Sequence, residues 1–520
     1  MGKKRALISV SDKTGIIGFA KVLAANGYEI ISTGGTEEAL NGGGIATVNI
    51  SDVTGFPECL DGRVKTLHPN IHAGVLAARD NPEHMALLAD LKIEPIDMIV
   101  VNLYPFKETI LKQPPVPLQE AVEQIDIGGP TLLRAASKNW RDVAVIVDPN
   151  DYDAVARQIR TGGAVDNELK LKLACKVFEY TAAYDTLIAE YLRKTTNADK
   201  FPEKLSLTYE KAQEMRYGEN PHQRGVFYKE IGNLDGTVAA AVWLHGKELS
   251  YLNVNDANGA LELLKEFAPD MPAVVAVKHA TPCGVGIGAN IYEAYMNAYN
   301  ADPVSIYGGI VAFNQEVCEA VAAEIQKVNL ILDIVIAPSY TQAAFDILAQ
   351  KKNIRILKLE NISKPNTKDM YDMKKVPGGL LIQEYNAEFI DEASLKVVTE
   401  KQPSEKEMRE LLFAFKVVKH TKSNGIALTK DNATTGIGSG QTNRVGALEI
   451  ALKYAGEKAK GSVMASDAYI PFTDCVEIAH KAGITAIIQP GGSIRDQESI
   501  DLCDKYNMVM VFTGTRHFKH

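Results

Sequence analysis

The stretch Ala273-Val-Val-Ala-Val-Lys278-His279-Ala-Thr-Pro-Cys-Gly-Val-Gly286 decides the fold, because an apolar run leads directly to two ionisable side chains. Short β-branched runs bounded by Gly and Pro are typical of buried strands, and functional groups commonly follow the carboxyl end of such a strand. The pattern predicts a buried strand that ends at Lys278 and His279 and enters a glycine-rich loop. A frayed strand with a solvated, charged end is the alternative for this stretch taken alone.

A partial repeat of this pattern favours a functional interpretation. Residues 415–428 repeat the Val-Lys-His step, again leaving an apolar run shortly before a glycine. Residues 302–338 are echoed by residues 465–490, since each has Asp and Tyr near an apolar run, then a helical run and a second apolar run. Repetition on this scale predicts two related α/β subdomains that share a cleft.

Composition bounds the class of protein. A chain of 520 residues is too long for one core, so we expect two or three domains. Its apolar content of 46% and charged content of 23% are ordinary for a soluble globular protein. The net charge of −9 argues against broad binding of nucleic-acid phosphates. Anionic small molecules stay open, because local basic groups and helix N-termini bind them whatever the total charge.

Cysteine usage and hydropathy point to a reducing compartment. The 6 cysteines are far apart and include no C-x-x-C pair, which predicts neither a disulfide framework nor a thiolate zinc site. The basic start of the chain lacks a small-residue cleavage site, and no apolar run approaches the roughly 20 residues that span a bilayer. We therefore expect a cytoplasmic protein with no membrane partner and no nucleic-acid partner.

The first part of the chain alternates between strand and helix patterns, which predicts a parallel sheet. Polar loops follow the first two predicted strands, with sequences Ser9-Val-Ser-Asp-Lys13-Thr-Gly15 and Ser32-Thr-Gly-Gly-Thr36. Such turns present backbone N–H groups at a helix N-terminus and can bind a phosphate, although simple connections have the same composition. The predicted elements are strands at residues 6–9, 29–32, 97–102 and 143–147 and a helix at residues 15–26.

Two further segments of the first part carry polar chemistry. Residues 55–74 are rich in Gly, Pro and basic groups, which suits a loop that binds an anion. His68 and His72 fall in this segment, but they lack a third ligand, so ordinary hydrogen-bonded histidines are expected rather than a metal site. The Gly-Gly-Pro sequence at residues 128–130 predicts a helix N-terminus. Lys138 on that helix either completes a pocket or lies on a solvated face.

A polar stretch at residues 194–203 separates the two parts. It predicts a first domain at residues 1–199 and a second at residues 200–520, with subdomains at about 200–365 and 374–520. The second part opens with the cluster Arg216-Tyr217-Gly-Glu-Asn-Pro-His222-Gln, which is too polar for a core. Residues 246–258 are predicted to begin an amide-rich helix.

Taken together, these motifs resemble one family over essentially the whole chain. That family is the bifunctional purine biosynthesis proteins, which join IMP cyclohydrolase to AICAR (phosphoribosyl-aminoimidazole-carboxamide) formyltransferase. The resemblance implies a methylglyoxal-synthase-like parallel-sheet first domain, two cytidine-deaminase-like α/β subdomains, and a homodimer with shared formyltransferase sites. The motifs that carry it are Ser9-Val-Ser-Asp-Lys-Thr-Gly15, Gly62-Arg-Val-Lys-Thr-Leu-His-Pro69, Asn102-Leu-Tyr-Pro-Phe106, Ile125-Asp-Ile-Gly-Gly129, Arg216-Tyr-Gly-Glu-Asn-Pro-His-Gln223, Val277-Lys-His279 and Ser423-Asn424.

The implied first reaction transfers a formyl group from 10-formyltetrahydrofolate to the 5-amine of AICAR ribotide and gives formyl-AICAR. That amine is a weak nucleophile, so a base must remove its proton, which suits the imidazole of His279. The ammonium of Lys278 can stabilise the tetrahedral oxyanion. The resemblance implies that Asn424 positions the amine and His279. It also implies ribotide contacts from Arg216, Tyr217, His222, Gly308, Asp333 and Arg516, and folate contacts from Tyr469, Pro471 and Phe518.

The implied second reaction closes a ring to give IMP, because the carboxamide nitrogen attacks the new formyl carbon and water leaves. Both groups already belong to one molecule, so the enzyme mainly orients them and moves protons. Neither step is a redox reaction or requires a metal. The resemblance gives proton handling to Lys65, Tyr104, Asp126 and Lys138, and nucleotide binding to Ser9, Lys13, Ser32, Thr33, Gly34, Gly35, Thr36, Arg63, Thr66, Asn102 and Gly128.

Three alternatives remain open from the sequence. A zinc-dependent nucleobase deaminase needs H-x-E and C-x-x-C ligands, and the chain has neither. A non-catalytic nucleotide-binding regulator would bind without turnover, and a chain with only one of the two activities would lose one site.

Thr473 and Cys475 depart from the family pattern and leave the local folate contacts open. Lys419 and His420 copy the lysine–histidine pair but are expected to be structural.

Overall fold

The structure, a computed structural model, describes residues 3–60 and 62–520. The chain divides into two compact units, Met1–Tyr209 and Glu210–His520, called unit 1 and unit 2 here. Within the described ranges, no helix has both the length and the apolar character needed to cross a membrane.

Unit 1 is built on a five-stranded parallel sheet with the strand order β3-β2-β1-β4-β5. The strands are β1 Lys4–Val10, β2 Tyr28–Ser32, β3 Thr47–Asn49, β4 Met98–Asn102 and β5 Ala144–Ile146. The helices are α1 Ile16–Ala25, α2 Gly34–Gly42, α3 Ile50–Thr54, α4 Pro69–Leu76, α5 Pro82–Asp90, α6 Phe106–Ile110, α7 Leu118–Val122, α8 Gly128–Lys138, α9 Tyr152–Gly162 and α10 Asn167–Thr195.

Helices cover both faces of this sheet, which explains why its strands are apolar on both sides. Leu7 and Ile8 are adjacent in β1, yet they belong to the cores on opposite faces, because successive side chains of a strand alternate. The four predicted strands and the helix at residues 15–26 are confirmed to within two residues at each end. The three-residue β3 was missed, since its side chains are only half-buried.

Unit 2 contains a 12-stranded sheet with the order β16-β21-β20-β19-β17-β18-β10-β9-β11-β12-β13-β8, and the hairpins β6-β7 and β14-β15. The strands are β6 Tyr209–Met215, β7 Gly225–Glu230, β8 Val242–His245, β9 Ala273–Lys278, β10 Thr281–Ile287, β11 Ile310–Phe313, β12 Ile334–Ala337, β13 Arg355–Lys358, β14 Tyr371–Val376, β15 Gly379–Glu384, β16 Lys396–Val397, β17 Ile426–Lys430, β18 Ala433–Gly438, β19 Val463–Ser466, β20 Ala486–Gln489 and β21 Val509–Phe512. The helices are α11 Tyr251–Leu264, α12 Ile291–Ala301, α13 Glu319–Lys327, α14 Gln342–Ala349, α15 Glu405–Lys419, α16 Arg444–Ala455, α17 Asp474–Lys481 and α18 Asp496–Lys505.

The sheet of unit 2 is a duplication, as the repeats predicted. The first half consists of the hairpin β9-β10 followed by β11, β12 and β13, and the second of the hairpin β17-β18 followed by β19, β20 and β21. The halves join through β10 and β18, which pair antiparallel with Gly286 opposite Ala433. The two related α/β subdomains are thus confirmed and share one continuous sheet.

The sequence alignment behind that prediction was wrong in two details. Lys419 and His420 lie at the C-terminal end of α15 rather than at the end of a strand, so they are not the structural counterparts of Lys278 and His279. Tyr307 precedes β11, whereas Tyr469 follows β19. The two halves match in their order of elements but not in these local motifs.

The predicted glycine-rich loop after His279 was also wrong, because Thr281–Ile287 is the strand β10. Its glycines allow close packing against a helix: a Cβ added to Gly284 would lie 2.2 Å from the Ala298 carbonyl oxygen of α12. The same close packing of a glycine against a helix occurs in the second half, since a Cβ added to Gly436 would lie 2.0 Å from the Ala451 carbonyl oxygen of α16. Glycine here serves close approach between a strand and a helix.

We expect Gly436→Ala to lower the free energy of unfolding of unit 2 by about 3 kcal/mol, because the new methyl group overlaps a backbone carbonyl that cannot rotate away. Urea unfolding followed by circular dichroism measures the loss. Gly379→Ala is the matched control in the same unit, since its Cβ would meet only the Val376 side chain at 3.7 Å. Equal stability of the two variants would contradict this account of the glycines.

Candidate active sites

A cleft of about 660 Å³ opens where β1, β2 and β4 of unit 1 end. The carboxyl edge of a parallel sheet is the usual place for a ligand in such folds. Most of the residues predicted for the nucleotide site line it. These are Ser9, Lys13, Thr33, Gly34, Gly35, Thr36, Arg63, Lys65, Thr66, Asn102, Tyr104, Asp126 and Gly128.

The N-terminus of α2 forms one end of this cleft and has the groups that can bind an anion. Gly34 adopts a left-handed φ of 52°, which glycine accepts without strain and which turns the chain into the helix. Cβ atoms built on Gly34 and Gly35 would lie 3.3 Å from Lys65 Nζ and 3.9 Å from Lys13 Nζ. Free N–H groups at a helix start and two ammonium groups can together hold a phosphate.

Two cations of the cleft are paired with acids. Lys65 Nζ lies 3.3 Å from Glu58 Oε1, and the guanidinium of Arg63 pairs with the carboxylate of Glu123. Both ion pairs are partly exposed, so water screens them and they contribute little stability. An incoming phosphate can therefore compete for either cation.

Three residues predicted to bind the nucleotide also fix the loops around the cleft. The Asn102 amide accepts hydrogen bonds from the N–H groups of Ser11 and Asp12, at 2.6 and 2.9 Å, and donates one to the Asp12 carbonyl. The Thr36 hydroxyl bonds both backbone groups of Val10 at 3.0 Å, and Ser32 Oγ donates to a β1 carbonyl. Their side chains hold the first loop in its position at the cleft.

Asp126 lies just before α8, with its carboxylate half-enclosed by backbone donors. It accepts a hydrogen bond from the Gly129 N–H at 2.8 Å and also interacts with the N–H groups of Tyr104 and Gly128. Burial raises the pKa of Asp126, although these donors act in the opposite direction. The carboxylate therefore links the Tyr104 loop to the start of α8 and can hold a proton more readily than an exposed aspartate.

The structure does not bring Lys138 into this cleft. It lies exposed at the end of α8, beyond the lining residues, so the solvated-face alternative describes its position in this chain. Sequence analysis missed Ser11, Glu123 and Gly129, which line the cleft and adjoin predicted residues. Their position within the quoted motifs was the available signal.

In unit 2 most of the residues predicted for formyl transfer lie where strands of the 12-stranded sheet begin or end, along the side at which β9 ends. This side is called the edge of the sheet here. Lys278 ends β9, whereas Gly308 and Asp333 precede β11 and β12, and the strand pairing puts these ends side by side. Lys278 Nζ donates a hydrogen bond to the Tyr307 carbonyl at 2.9 Å, and a Cβ on Gly308 would lie 2.8 Å from that ammonium. Lys278, Gly308 and Asp333 thus form one cluster at the edge.

His279 occupies the tight turn of the β9-β10 hairpin. Both central residues, His279 and Ala280, have positive φ values of 54° and 55°, which a type I′ turn requires. For residues other than glycine this costs about 1–3 kcal/mol each. The turn presents His279 to solvent, so the imidazole is not enclosed in the apolar core.

Helix α11 holds this turn from one side. The half-buried Asp256 carboxylate interacts with the backbone N–H groups of His279 and Ala280. One turn later, a Cβ on Gly259 would lie 3.1 Å from the Ala280 carbonyl oxygen, so only glycine lets the helix approach this closely. Burial raises the pKa of Asp256, whereas the nearby imidazole lowers it. Sequence analysis treated this segment as an amide-rich helix start and missed Asp256.

Asn424 belongs to a separate cluster in the second half. Its amide donates to the Gln441 carbonyl at 2.9 Å and accepts from Arg444 Nη2 at 2.8 Å, so within one chain these hydrogen bonds fix it without His279. The other guanidinium nitrogen of Arg444 lies 2.5 Å from Asp467, whose side chain is fully buried. Between β9 and β17 lie three strand spacings, about 14 Å.

The C-terminal segment returns to the same cluster. The His517 N–H donates to the Asp467 carbonyl at 3.0 Å, and the Lys519 N–H donates to Ser423 Oγ at 3.1 Å. Arg516 and Phe518 remain exposed, with the guanidinium 4.4 Å from the ring centre. Tyr469 and Pro471 follow β19 at this edge. The predicted folate residues Tyr469, Pro471 and Phe518 therefore all follow strands that end on the same side of the sheet.

Arg216 and His222 line a small cavity of about 160 Å³ beside the β6-β7 hairpin. The Arg216 guanidinium lies 5.6 Å from the ring centre of the neighbouring Tyr217. Lys419 and His420, by contrast, are buried against Glu266, at 2.6 and 2.9 Å. This second lysine–histidine pair is structural, as expected.

The fold and these two candidate sites are typical of a class: α/β enzymes that bind ligands at the ends of sheet strands. A family model described as AICARFT/IMPCHase bienzyme matches residues 136–454, and one described as MGS-like domain matches residues 15–131. The bifunctional purine biosynthesis protein PurH of Acetivibrio thermocellus is 64% identical over 99% of this chain and 100% of its own. Those of Ruminiclostridium cellulolyticum and Bacillus mycoides are 62% and 56% identical, over 99% and 100% of this chain and 100% of their own.

The chain belongs to this family of bifunctional purine biosynthesis enzymes. It catalyses the last two steps of purine synthesis, as an AICAR formyltransferase and an IMP cyclohydrolase. The methylglyoxal-synthase-like first domain is confirmed by the family match. The alternatives of a zinc deaminase, a non-catalytic regulator and a chain with a single activity are set aside.

We expect Arg444→Met to lower the free energy of unfolding of unit 2 by about 3–5 kcal/mol, because the buried Asp467 carboxylate loses its charged partner. Urea unfolding measures the change. Arg495→Met is the matched control, since Arg495 pairs with Glu498 on the surface, where a lost ion pair costs about 1 kcal/mol or less. Similar losses in both variants would show that burial of the Arg444 pair is unimportant.

Proposed function

We propose that formyl transfer occurs at the edge of the 12-stranded sheet, with His279 as general base and Lys278 as the group that stabilises the oxyanion. The exposed imidazole in a fixed turn supports this assignment most directly, because a base must reach the substrate amine. The Lys278 ammonium is held at the Tyr307 carbonyl beside Gly308, where a small residue leaves room for a ligand. Lys278 can also supply a proton to the departing nitrogen.

We assign the formyl donor as 10-formyltetrahydrofolate, held by the second half of the sheet. Exposed Tyr469 and Phe518 offer flat apolar surfaces for a pterin, and Pro471 lies beside them in the chain. Arg516 can meet a carboxylate or phosphate group of a ligand. Asn424, fixed by Arg444, presents a rigid amide edge between these residues and β9. The chemistry assigned to these side chains uses no metal.

We assign ring closure to the cleft of unit 1, with the IMP cyclohydrolase domain at residues 1–199 and the formyltransferase domain at residues 200–520. The N-terminus of α2, Lys13 and Lys65 hold the phosphate of formyl-AICAR. Tyr104 and Asp126 then face the reacting arms and move protons as water leaves. The raised pKa of the half-buried Asp126 suits this role. Ring closure also drains the product of a formyl transfer that is itself poorly driven.

A homodimer in the cytoplasm is part of the proposal. The separation of about 14 Å between β9 and β17 leaves the His279 and Asn424 clusters apart in a single chain, which is compatible with sites completed by a second copy. The exposed position of Lys138 is equally compatible with a contribution to a partner's site. The substrates and products of these sites are AICAR ribotide, formyl-AICAR, IMP and the folate.

We expect His279→Ala to lower kcat for formyl transfer by at least about a hundredfold, because the amine loses its general base. Ring closure of purified formyl-AICAR should be unchanged. Lys65→Ala should instead lower kcat for ring closure and leave formyl transfer unchanged. Both reactions are followed by absorbance, with AICAR ribotide and 10-formyltetrahydrofolate for the first and formyl-AICAR alone for the second.

The control for this pair is His480→Ala, a partly exposed histidine on α17 whose ring stacks on Tyr506. Both activities should persist in that variant. If a folded single variant at His279 or Lys65 lost both reactions, the assignment of two separate sites would be wrong.

A further inference from the structure

Two tyrosines of α10, Tyr180 and Tyr184, lie one helical turn apart behind the cleft of unit 1. Neither belongs to its lining, yet each hydroxyl meets the backbone of a loop that does. Tyr180 accepts a hydrogen bond from the Leu103 N–H at 3.1 Å. Tyr184 accepts one from the Asp126 N–H at 2.9 Å and donates one to the Gln124 carbonyl at 2.6 Å.

The two loops held in this way are also joined to each other. Leu103 precedes Tyr104, and the Tyr104 N–H interacts with the Asp126 carboxylate. The same carboxylate accepts from the Gly129 N–H at the start of α8. One helix therefore fixes, through backbone contacts, both loops that carry the polar groups at one end of the cleft.

Ring packing and protonation make the contacts of Tyr184 durable. Its ring meets Phe106, the first residue of α6, edge-on at 6.2 Å, and the Tyr191 ring meets Phe106 at 5.6 Å. Burial raises the pKa of Tyr184 to about 12, so its hydroxyl keeps its proton at neutral pH and can donate. A hydroxyl that both accepts and donates fixes two backbone groups of the Gln124–Asp126 segment at once.

We propose that Tyr180 and Tyr184 are positioning residues for ring closure, which set the places of Tyr104 and Asp126 from behind the cleft. The proposal rests on the assignment of ring closure to this cleft. Small misplacements of catalytic groups cost up to about a hundredfold in rate, so a hydroxyl that never touches the substrate can still control kcat. The α2 end of the cleft is held by other residues and should be unaffected.

The test replaces each tyrosine by phenylalanine, which keeps the ring and removes only the hydroxyl. In Tyr184→Phe, kcat for ring closure of formyl-AICAR should fall about ten- to a hundredfold, while KM changes by less than about twofold. In Tyr180→Phe, kcat for ring closure should also fall. Tyr191→Phe is the matched control on the same helix, because Tyr191 contacts Phe106 through its ring, and it should retain full activity. Formyl transfer should be unchanged in all three variants.

A merely structural role would lower the number of intact sites rather than the rate at each site. The concentration of sites is therefore measured by calorimetric titration with IMP, and kcat is expressed per IMP-binding site. A normal kcat per site in both Tyr180→Phe and Tyr184→Phe would overturn the proposal. A second readout is the pH profile, whose acidic limb should move to lower pH in Tyr184→Phe as Asp126 becomes hydrated and loses its raised pKa.

Lys65→Ala separates failure of this proposal from failure of its premise. If Lys65→Ala abolishes ring closure and Tyr184→Phe does not affect it, the cleft is the site and the tyrosines do not position it. If Lys65→Ala leaves ring closure intact, the cleft is not the site, and the proposal falls with that assignment.

Discussion

The antiparallel pairing of β10 with β18 is the constraint on which unit 2 depends. Glycines in both strands let α12 and α16 pack closely against the backbone on either side of this junction. The joined halves form one sheet, and its register brings the ends of β9, β17, β19 and β21 to a single edge. Most of the residues proposed for formyl transfer lie along that edge, so the duplication places two clusters of them on the same side of the sheet.

Much of unit 1 could be predicted from sequence because its sheet is parallel and buried on both faces. Such strands are short continuous apolar runs, and the polar loops at their carboxyl ends stand out against them. The α2 end of the cleft could be predicted from sequence for the same reason, since Gly34 and Gly35 begin a helix directly after β2. The half-buried β3 gave no such signal.

In unit 2, local amino-acid composition led to a wrong prediction of secondary structure. Glycines after His279 are typical of a loop, but here they serve a strand that must accept a helix at close range, and nothing in the local sequence distinguishes the two cases. The Val-Lys-His step recurs at the end of α15, where Lys419 and His420 are buried against Glu266 rather than placed at the end of a strand. Positioning residues were also beyond prediction: Asp256 and Tyr184 act on backbone groups that are distant in the chain, and such contacts leave no motif.

Both proposed sites contain a half-buried aspartate that holds backbone N–H groups, and this arrangement has a thermodynamic cost. Burial raises the pKa of Asp126 and of Asp256, so each carboxyl ionises less readily in the folded chain than in the unfolded chain. For a carboxyl whose folded pKa is raised, stability is highest below the unfolded pKa and is lost as pH rises through the folded value. At neutral pH each ionised carboxylate thus opposes folding, while its charge strengthens the bonds that hold Tyr104 or the His279 turn. This loss of stability falls at the two segments that carry the side chains proposed for catalysis, where the aspartates fix the backbone.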